Sequence, residues 1–193
     1  MDLVLGSTSR YRRELLSRLT PHFRIVSPHV DETPLPNEAP VAIAVRLAKS
    51  KASAVAEKCP GAVVIGSDQV ADLEGVALGK PGSVENAIRQ LQACSGRDVI
   101  FHTALCVIDV RSPQVNMFET TDTTRVKFRE LDDAEIARYI EREKPLDCAG
   151  SFKSEGVGIT LFEKIESIDP TALIGLPMIA LCNLLRRAGI TLP

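Results

Sequence analysis

The chain has 193 residues, 45% hydrophobic and 25% charged, with a formal net charge of -2. This is the balance of a soluble globular protein, long enough to bury one sizeable core. It lacks the global basic footprint of a nucleic-acid binder and any run near the ~18 uninterrupted apolar residues of a membrane span. Leu3-Val4-Leu5 reads as a first strand, too short and too soon interrupted by polar residues to be a secretory signal. Gly6-Ser7-Thr8-Ser9 follows, then a helix over 10–19 with Leu15, Leu16 and Leu19 on one side. Thr8 or Ser9 can cap it, and its free N–H groups can meet an anion. Arg12 and Arg13 in its first turn oppose the helix dipole; they suit an anion at that end or a solvated surface.

Phe23 to Val26 alternates as a short strand and leads into a proline-bearing loop with adjacent acids, Asp31 and Glu32. A long helix is expected from about Ala39 to Lys58, with Val41, Val45, Ala48, Ala52 and Val55 as its buried stripe. Lys51 falls at the edge of that stripe, where its stem can lie on apolar surface while its amine reaches an anion. Val63-Val64-Ile65 then forms a buried strand that runs into Gly66-Ser67-Asp68, which reads as the strand's exit or a tight bend. A carboxylate between apolar segments is costly unless bonded, paired or bound to a metal. Asp68 alone reads either as a turn residue accepting backbone N–H groups or as an active-site acid.

Leu73 to Val76 marks a hairpin turn, and Gly79-Lys80-Pro81-Gly82 is a tight lysine-bearing loop before a helix over 83–93. Val99–Val110 and Val115–Phe128 form a large antiparallel hairpin. Asp132 with Glu135 opens a helix as a capping pair. The segment Cys148 to Gly158 alternates glycines with Lys153 and Glu155 and is not an ordinary core element. Strands are expected over 159–162 and 165–168, and a last helix begins near Pro177. These units imply an α/β fold with a mixed sheet.

Ser7, Ser9, Arg12, Arg13, Glu32, Lys51, Asp68, Lys80 and Glu155 stand out because most follow strand ends or open helices, where open α/β sheets place ligands. Together they suit a polyphosphate and a divalent cation. No Gly-Lys-Ser/Thr phosphate cradle and no dinucleotide fingerprint is present. The five cysteines are scattered and odd in number, as expected of reduced structural thiols in the cytosol. The three histidines lie in no recognisable nucleophile context, and His102 reads as structural.

Gly6-Ser7-Thr8-Ser9-x-x-Arg12-Arg13, Val30-Asp31-Glu32, Arg46-Leu47-Ala48-x-x-Lys51-Ala52, Gly66-Ser67-Asp68-Gln69, Gly79-Lys80-Pro81 and Gly175-Leu176-Pro177 together resemble the Maf family of nucleotide pyrophosphatases. Cys148 to Gly156 is similar to the branch acting on 7-methyl-GTP. The resemblance implies one domain over 1–193, related to the inosine triphosphate pyrophosphatases, with an elongated mixed sheet and two lobes around a nucleotide cleft. It implies cleavage between the α and β phosphates of a nucleoside triphosphate, a Mg or Mn cofactor held by Asp68 and Glu32, a cytoplasmic location and a homodimer. Asp68 matches the proton acceptor; Lys51 and Lys80 are expected to serve the catalysis by binding phosphate and stabilising the leaving diphosphate. Arg12 and Arg13 are expected to bind phosphates, with Ser7 and Ser9 adding oxyanion contacts and Glu32 standing beside them, while Tyr11, Gln69 and Glu155 match the positions that select the base. Activity on other nucleoside triphosphates, or a non-enzymatic nucleotide-binding role in cell division, is the alternative.

Overall fold

The structure, a computed structural model, describes residues 2–192. Six strands follow one path in a mixed sheet: β2 (Arg24–Ile25), β1 (Leu3–Leu5), β3 (Val63–Leu73), β5 (Asp98–Asp109), β6 (Asn116–Phe128) and β7 (Phe162–Glu166). The seventh, β4 (Val76–Leu78), pairs β3 off this path. β1 runs parallel to β2 and β3, and the other pairings are antiparallel. The flanking helices are α1 (Arg10–Leu19), α2 (Pro40–Ala56), α3 (Val84–Cys94), α4 (Asp133–Glu143) and α5 (Met178–Arg187). No described helix is long and apolar enough to cross a membrane.

Side chains along a strand alternate between faces, and in β3 that alternation sorts the helices. Val63 and Ile65 pack with Leu15 and Leu16 of α1 and Leu181 and Leu184 of α5. At the other end of the same face, Ala71 and Leu73 join Leu91 of α3 and Ile136 and Ile140 of α4. Between these two clusters the same face carries the polar Ser67 and Gln69. The opposite face receives α2, whose Ala44, Ala48 and Ala52 cluster with Val70, Ala104 and Cys106.

The edges of β3 differ. Along one edge β5 pairs with it continuously from Val63 to Asp72. On the other, β1 pairs with Leu3↔Val63 through Leu5↔Ile65, and β4 takes over only at Ala71. Residues 66–70 face no strand there among the described residues, so the sheet opens a gap in the middle of β3.

Several expectations are corrected. Gly66-Ser67-Asp68 is no strand exit: β3 runs unbroken through it. Gly66 is a packing contact, since a Cβ there would stand 2.4 Å from the Ala48 carbonyl oxygen and 2.6 Å from the Ala52 nitrogen. The buried stripe of α2 is also rotated. Val41 and Val45 are exposed, whereas Ile43, Ala44, Leu47, Ala48, Lys51, Ala52 and Val55 are buried. Two neighbouring arcs of this helix are apolar, and the close approach of Gly66 to Ala48 and Ala52 selects one of them. The expected strand over 159–162 is a short 3-10 helix over 157–161, and the strand expected over 165–168 is β7, Phe162–Glu166. The chain folds back on itself at Gly158, where a Cβ would meet the Lys153 carbonyl oxygen at 2.3 Å. The 148–158 segment also enters the core, with Phe152 packed edge-to-face on Phe101 and Phe162, each at 4.9 Å between centroids.

Candidate active site

A cavity of about 790 Å³ opens at the gap in β3, large enough for a nucleotide. Its floor is set by Asp68, which points from β3 toward α2, and by Lys51, which rises from the buried stripe of α2. Both are almost wholly buried. Lys51 Nζ donates to Asp68 Oδ1 at 2.6 Å and lies 2.8 Å from Glu32 Oε1. Burying a charge without a partner is prohibitive, so this triad explains how two charged side chains persist in an apolar helix–sheet interface. Glu32 is the exposed member, its side chain 53% accessible. Burial works to raise its carboxyl pKa, but Lys51, Lys80 and Arg12 overcome that and hold it below the usual range.

Glu32 reaches Lys51 because its loop is braced. Arg46 of α2 forks onto Glu38, with Nε 2.6 Å from Oε1 and Nη2 2.7 Å from Oε2, and also donates to the Thr33 carbonyl at 3.2 Å. The Leu35 N–H donates to Glu38 Oε2 at 3.0 Å. Arg46 and this N–H pull the Glu38 carboxyl down to about 2 from an ordinary 4.5. A depressed carboxyl contributes stability above its unfolded pKa and loses it as pH falls toward its folded one. In urea titrations between pH 6 and pH 3, Glu38→Gln is therefore expected to be less stable than the wild type at pH 6, with the difference shrinking below about pH 4.5. A difference constant with pH would deny this pair its bracing role.

The opposite wall is the N-terminus of α1. Ser9 is its N-cap and accepts from the Arg12 N–H. Ser7 is buried, and its Oγ accepts from the Ser9 N–H at 3.1 Å and from Arg12 Nη1 at 3.4 Å. Arg12 Nε donates to the Gly175 carbonyl at 2.8 Å, which locks the guanidinium plane across the cavity. Burial lowers the Arg12 pKa, while Asp68 and Glu32 oppose the shift. Lys80, exposed on the loop after β4, completes the cation set. Arg13 does not join it: the side chain is exposed and lies outside the cavity lining.

The far end of the cavity is formed by Tyr11 of α1 with Asp147, Cys148 and Glu155. Burial raises the Tyr11 pKa, and Cys148, Asp147 and Glu155 raise it further. Arg10 lies over the Tyr11 ring, 5.5 Å from its centroid. Gln69 lines the cavity too, but its amide group donates to Thr103 Oγ1 at 2.9 Å, the Ala172 carbonyl at 2.9 Å and the Leu173 carbonyl at 3.1 Å. Its donors are thus committed to the protein. His102 is structural as expected, with Nε2 3.2 Å from Asp72 Oδ2. All five cysteines are free, and burial and nearby acids push the Cys148 thiol up to about 12. Sequence reasoning missed Ser67, Thr103 and Asp147; the first two are fully buried hydroxyls, recognisable only once strand alternation is combined with the sheet order.

No group of three or more His, Cys, Asp or Glu residues gathers at metal-holding spacing among the described residues. Asp68 and Glu32 nonetheless offer hard oxygen donors, which here converge on the Lys51 ammonium at 2.6 and 2.8 Å. That donor set suits a magnesium-like cation held by one or two carboxylates and substrate phosphates, rather than a protein-only cage.

A cavity at a gap in an α/β sheet, with an acid–lysine pair on its floor and cations on its rim, defines a class of protein that receives a polyphosphate beside a carboxylate. The chain belongs to the Maf family: the Maf-like protein family matches residues 2–188. It is 58% identical over 191 residues to a 7-methyl-GTP pyrophosphatase of Aromatoleum aromaticum, covering 99% of this chain and 97% of the relative. It is equally 58% identical over 191 residues to a 7-methyl-GTP pyrophosphatase of Xanthomonas oryzae pv. oryzae, covering 99% of this chain and 98% of the relative. Among solved structures, the Staphylococcus aureus Ham1 protein matches 98% of this chain and 100% of its own with a TM-score of 0.51 and 15% identity, a likeness of fold alone. The expected family and the mixed sheet flanked by helices both hold.

Proposed function

We propose that this protein hydrolyses 7-methyl-GTP to 7-methyl-GMP and diphosphate, with water attacking the α-phosphorus. The observation that carries the reading is the buried Lys51–Asp68 pair at the floor of a cavity that has cations at one end and an aromatic ring beside acids at the other. Its close relatives are named for that activity.

In this reading Asp68 orients the attacking water and takes its proton, while Lys51 holds the carboxylate in place. Arg12 and Lys80 neutralise charge on the β and γ phosphates and on the leaving diphosphate, supported by the N–H groups opening α1. Asp68 and Glu32 would hold a divalent cation, which when bound screens the phosphates and acidifies water. Ser7 contributes by fixing Arg12 and the start of α1.

The base lies against Tyr11. Methylation at N7 gives guanine a positive charge, which suits an aromatic face and the carboxylates of Asp147 and Glu155. Arg10 covers one face of the ring, so the base uses the other.

Diphosphate release from a panel of canonical and modified nucleoside triphosphates, with and without Mg²⁺, tests the proposal. The highest kcat/KM is expected for 7-methyl-GTP; release from none of them would leave a nucleotide-binding regulator. Glu155→Gln should lower the preference for 7-methyl-GTP over GTP by about 2- to 5-fold, the scale of an exposed charge contact. An unchanged ratio would remove Glu155 from base selection.

A further inference from the structure

We infer that Asp169 and Thr171 are positioning residues, which act through a strap of main-chain carbonyls to set the side chains that meet the nucleotide. The inference rests on reading the cavity as a nucleotide site. Asp169 is 2% exposed, and neither residue lines the cavity. Asp169 Oδ1 accepts from the Thr171 N–H at 3.0 Å and from Thr171 Oγ1 at 2.6 Å, and Oδ2 accepts from the Ile179 N–H at 2.6 Å. Thr171 Oγ1 in turn accepts from the Met178 N–H at 2.8 Å and lies 2.9 Å from the Leu176 carbonyl. These bonds tie both ends of segment 172–177 to one buried carboxylate and cap the start of α5, where the helix dipole favours a negative charge.

The carbonyls between the tied ends serve the site. Those of Ala172 and Leu173 accept from Gln69, and that of Ala172 also from Thr103. That of Gly175 accepts from Arg12 Nε at 2.8 Å and from Ser67 Oγ at 3.2 Å. Gly175 adopts a φ of +119°, which a side chain would strain. One strap therefore bonds Arg12, which faces the phosphates, and Gln69, which lies toward the base. A shift of the strap moves both, and displacements near 1 Å can cost about a hundredfold in rate.

Thr171→Val keeps the shape and removes the hydroxyl, whereas Thr171→Ser keeps the hydroxyl. Leu184→Ala, buried in α5 away from the strap bonds, serves as a control for lost stability. At a temperature where all variants are folded by circular dichroism, Thr171→Val should lower kcat/KM on the best panel substrate by about ten- to a hundredfold. Thr171→Ser should stay within about threefold and Leu184→Ala near wild type. In an Arg12→Ala background the Thr171→Val loss should shrink to the part carried through Gln69, since the strap then has no guanidinium to hold. Full activity in Thr171→Val, an equal loss in Leu184→Ala, or an undiminished loss in the Arg12→Ala background would each overturn the inference. The same comparison made on affinity for a non-hydrolysable nucleoside triphosphate decides it even if the wild type cleaves nothing, an outcome that would overturn the functional reading alone.

Discussion

Asp68→Asn is expected to lose about 10²- to 10⁴-fold in turnover while nucleotide affinity stays within a few-fold of wild type. Asparagine matches aspartate in shape, so β3 and its contact with α2 are preserved. The change removes the charge and the basic oxygen that the proposed reaction needs. Lys51 keeps Glu32 as a partner at 2.8 Å, so the buried ammonium is not stranded. Single-turnover diphosphate release, alongside calorimetric titration with a non-hydrolysable analogue, separates chemistry from binding. Turnover near wild type would remove Asp68 from the chemistry; loss of binding with turnover per bound nucleotide intact would make it a binding residue only.

Lys51→Met is expected to have the largest effect on stability. Methionine fills the apolar part of the lysine's space, but Asp68, 6% exposed, loses the ammonium that stands 2.6 Å from its oxygen. Removing one partner of a buried ion pair costs about 3–5 kcal/mol. Each kcal/mol shifts the melting temperature of a chain this size by roughly 2–4 °C, so a fall of about 6–20 °C is expected. The double variant Lys51→Met/Asp68→Asn should recover much of that loss, since no buried charge is left unpaired, yet remain inactive. Melting curves of the four proteins close the cycle. Additive losses would show that the two residues are not coupled.

The two variants bear on one design. The pair is placed inside the structure and lines the cavity at the gap in β3. Glu32, held on its braced loop, is the more exposed acid and the one able to change partners when a polyphosphate enters. This separation gives the site a fixed acid and an adaptable one.

Much of this was legible in the chain itself. Helix α1 begins at Arg10 as read, the β5–β6 hairpin and the capping of α4 by Asp132 were recognisable from local pattern, and Asp68, Lys51, Arg12 and Lys80 all reach one cavity. Those features depend on interactions a few residues apart, or on residue types too costly to bury without purpose. The errors share another origin. Of the expected stripe Ala48, Ala52 and Val55 are buried, whereas Val41 and Val45 are exposed, because helical period defines an arc but not which neighbouring arc meets the sheet.

The sequence by itself determined the alternation of strands and helices, the chemical inventory of the site and the resemblance that named its family. These are encoded by local periodicity and by charged residues set among apolar ones. Only the tertiary structure decided where that inventory acts. β1 and β4 leave the same edge of β3 bare over residues 66–70, and contacts from residues more than a hundred positions away fix Arg12 and Gln69 on the strap over 172–175. Strand pairing and carbonyl orientation arise from contacts distant in sequence, so no local pattern could disclose that Asp68 lies within the strand and not at its end, or that a gap lies beside it.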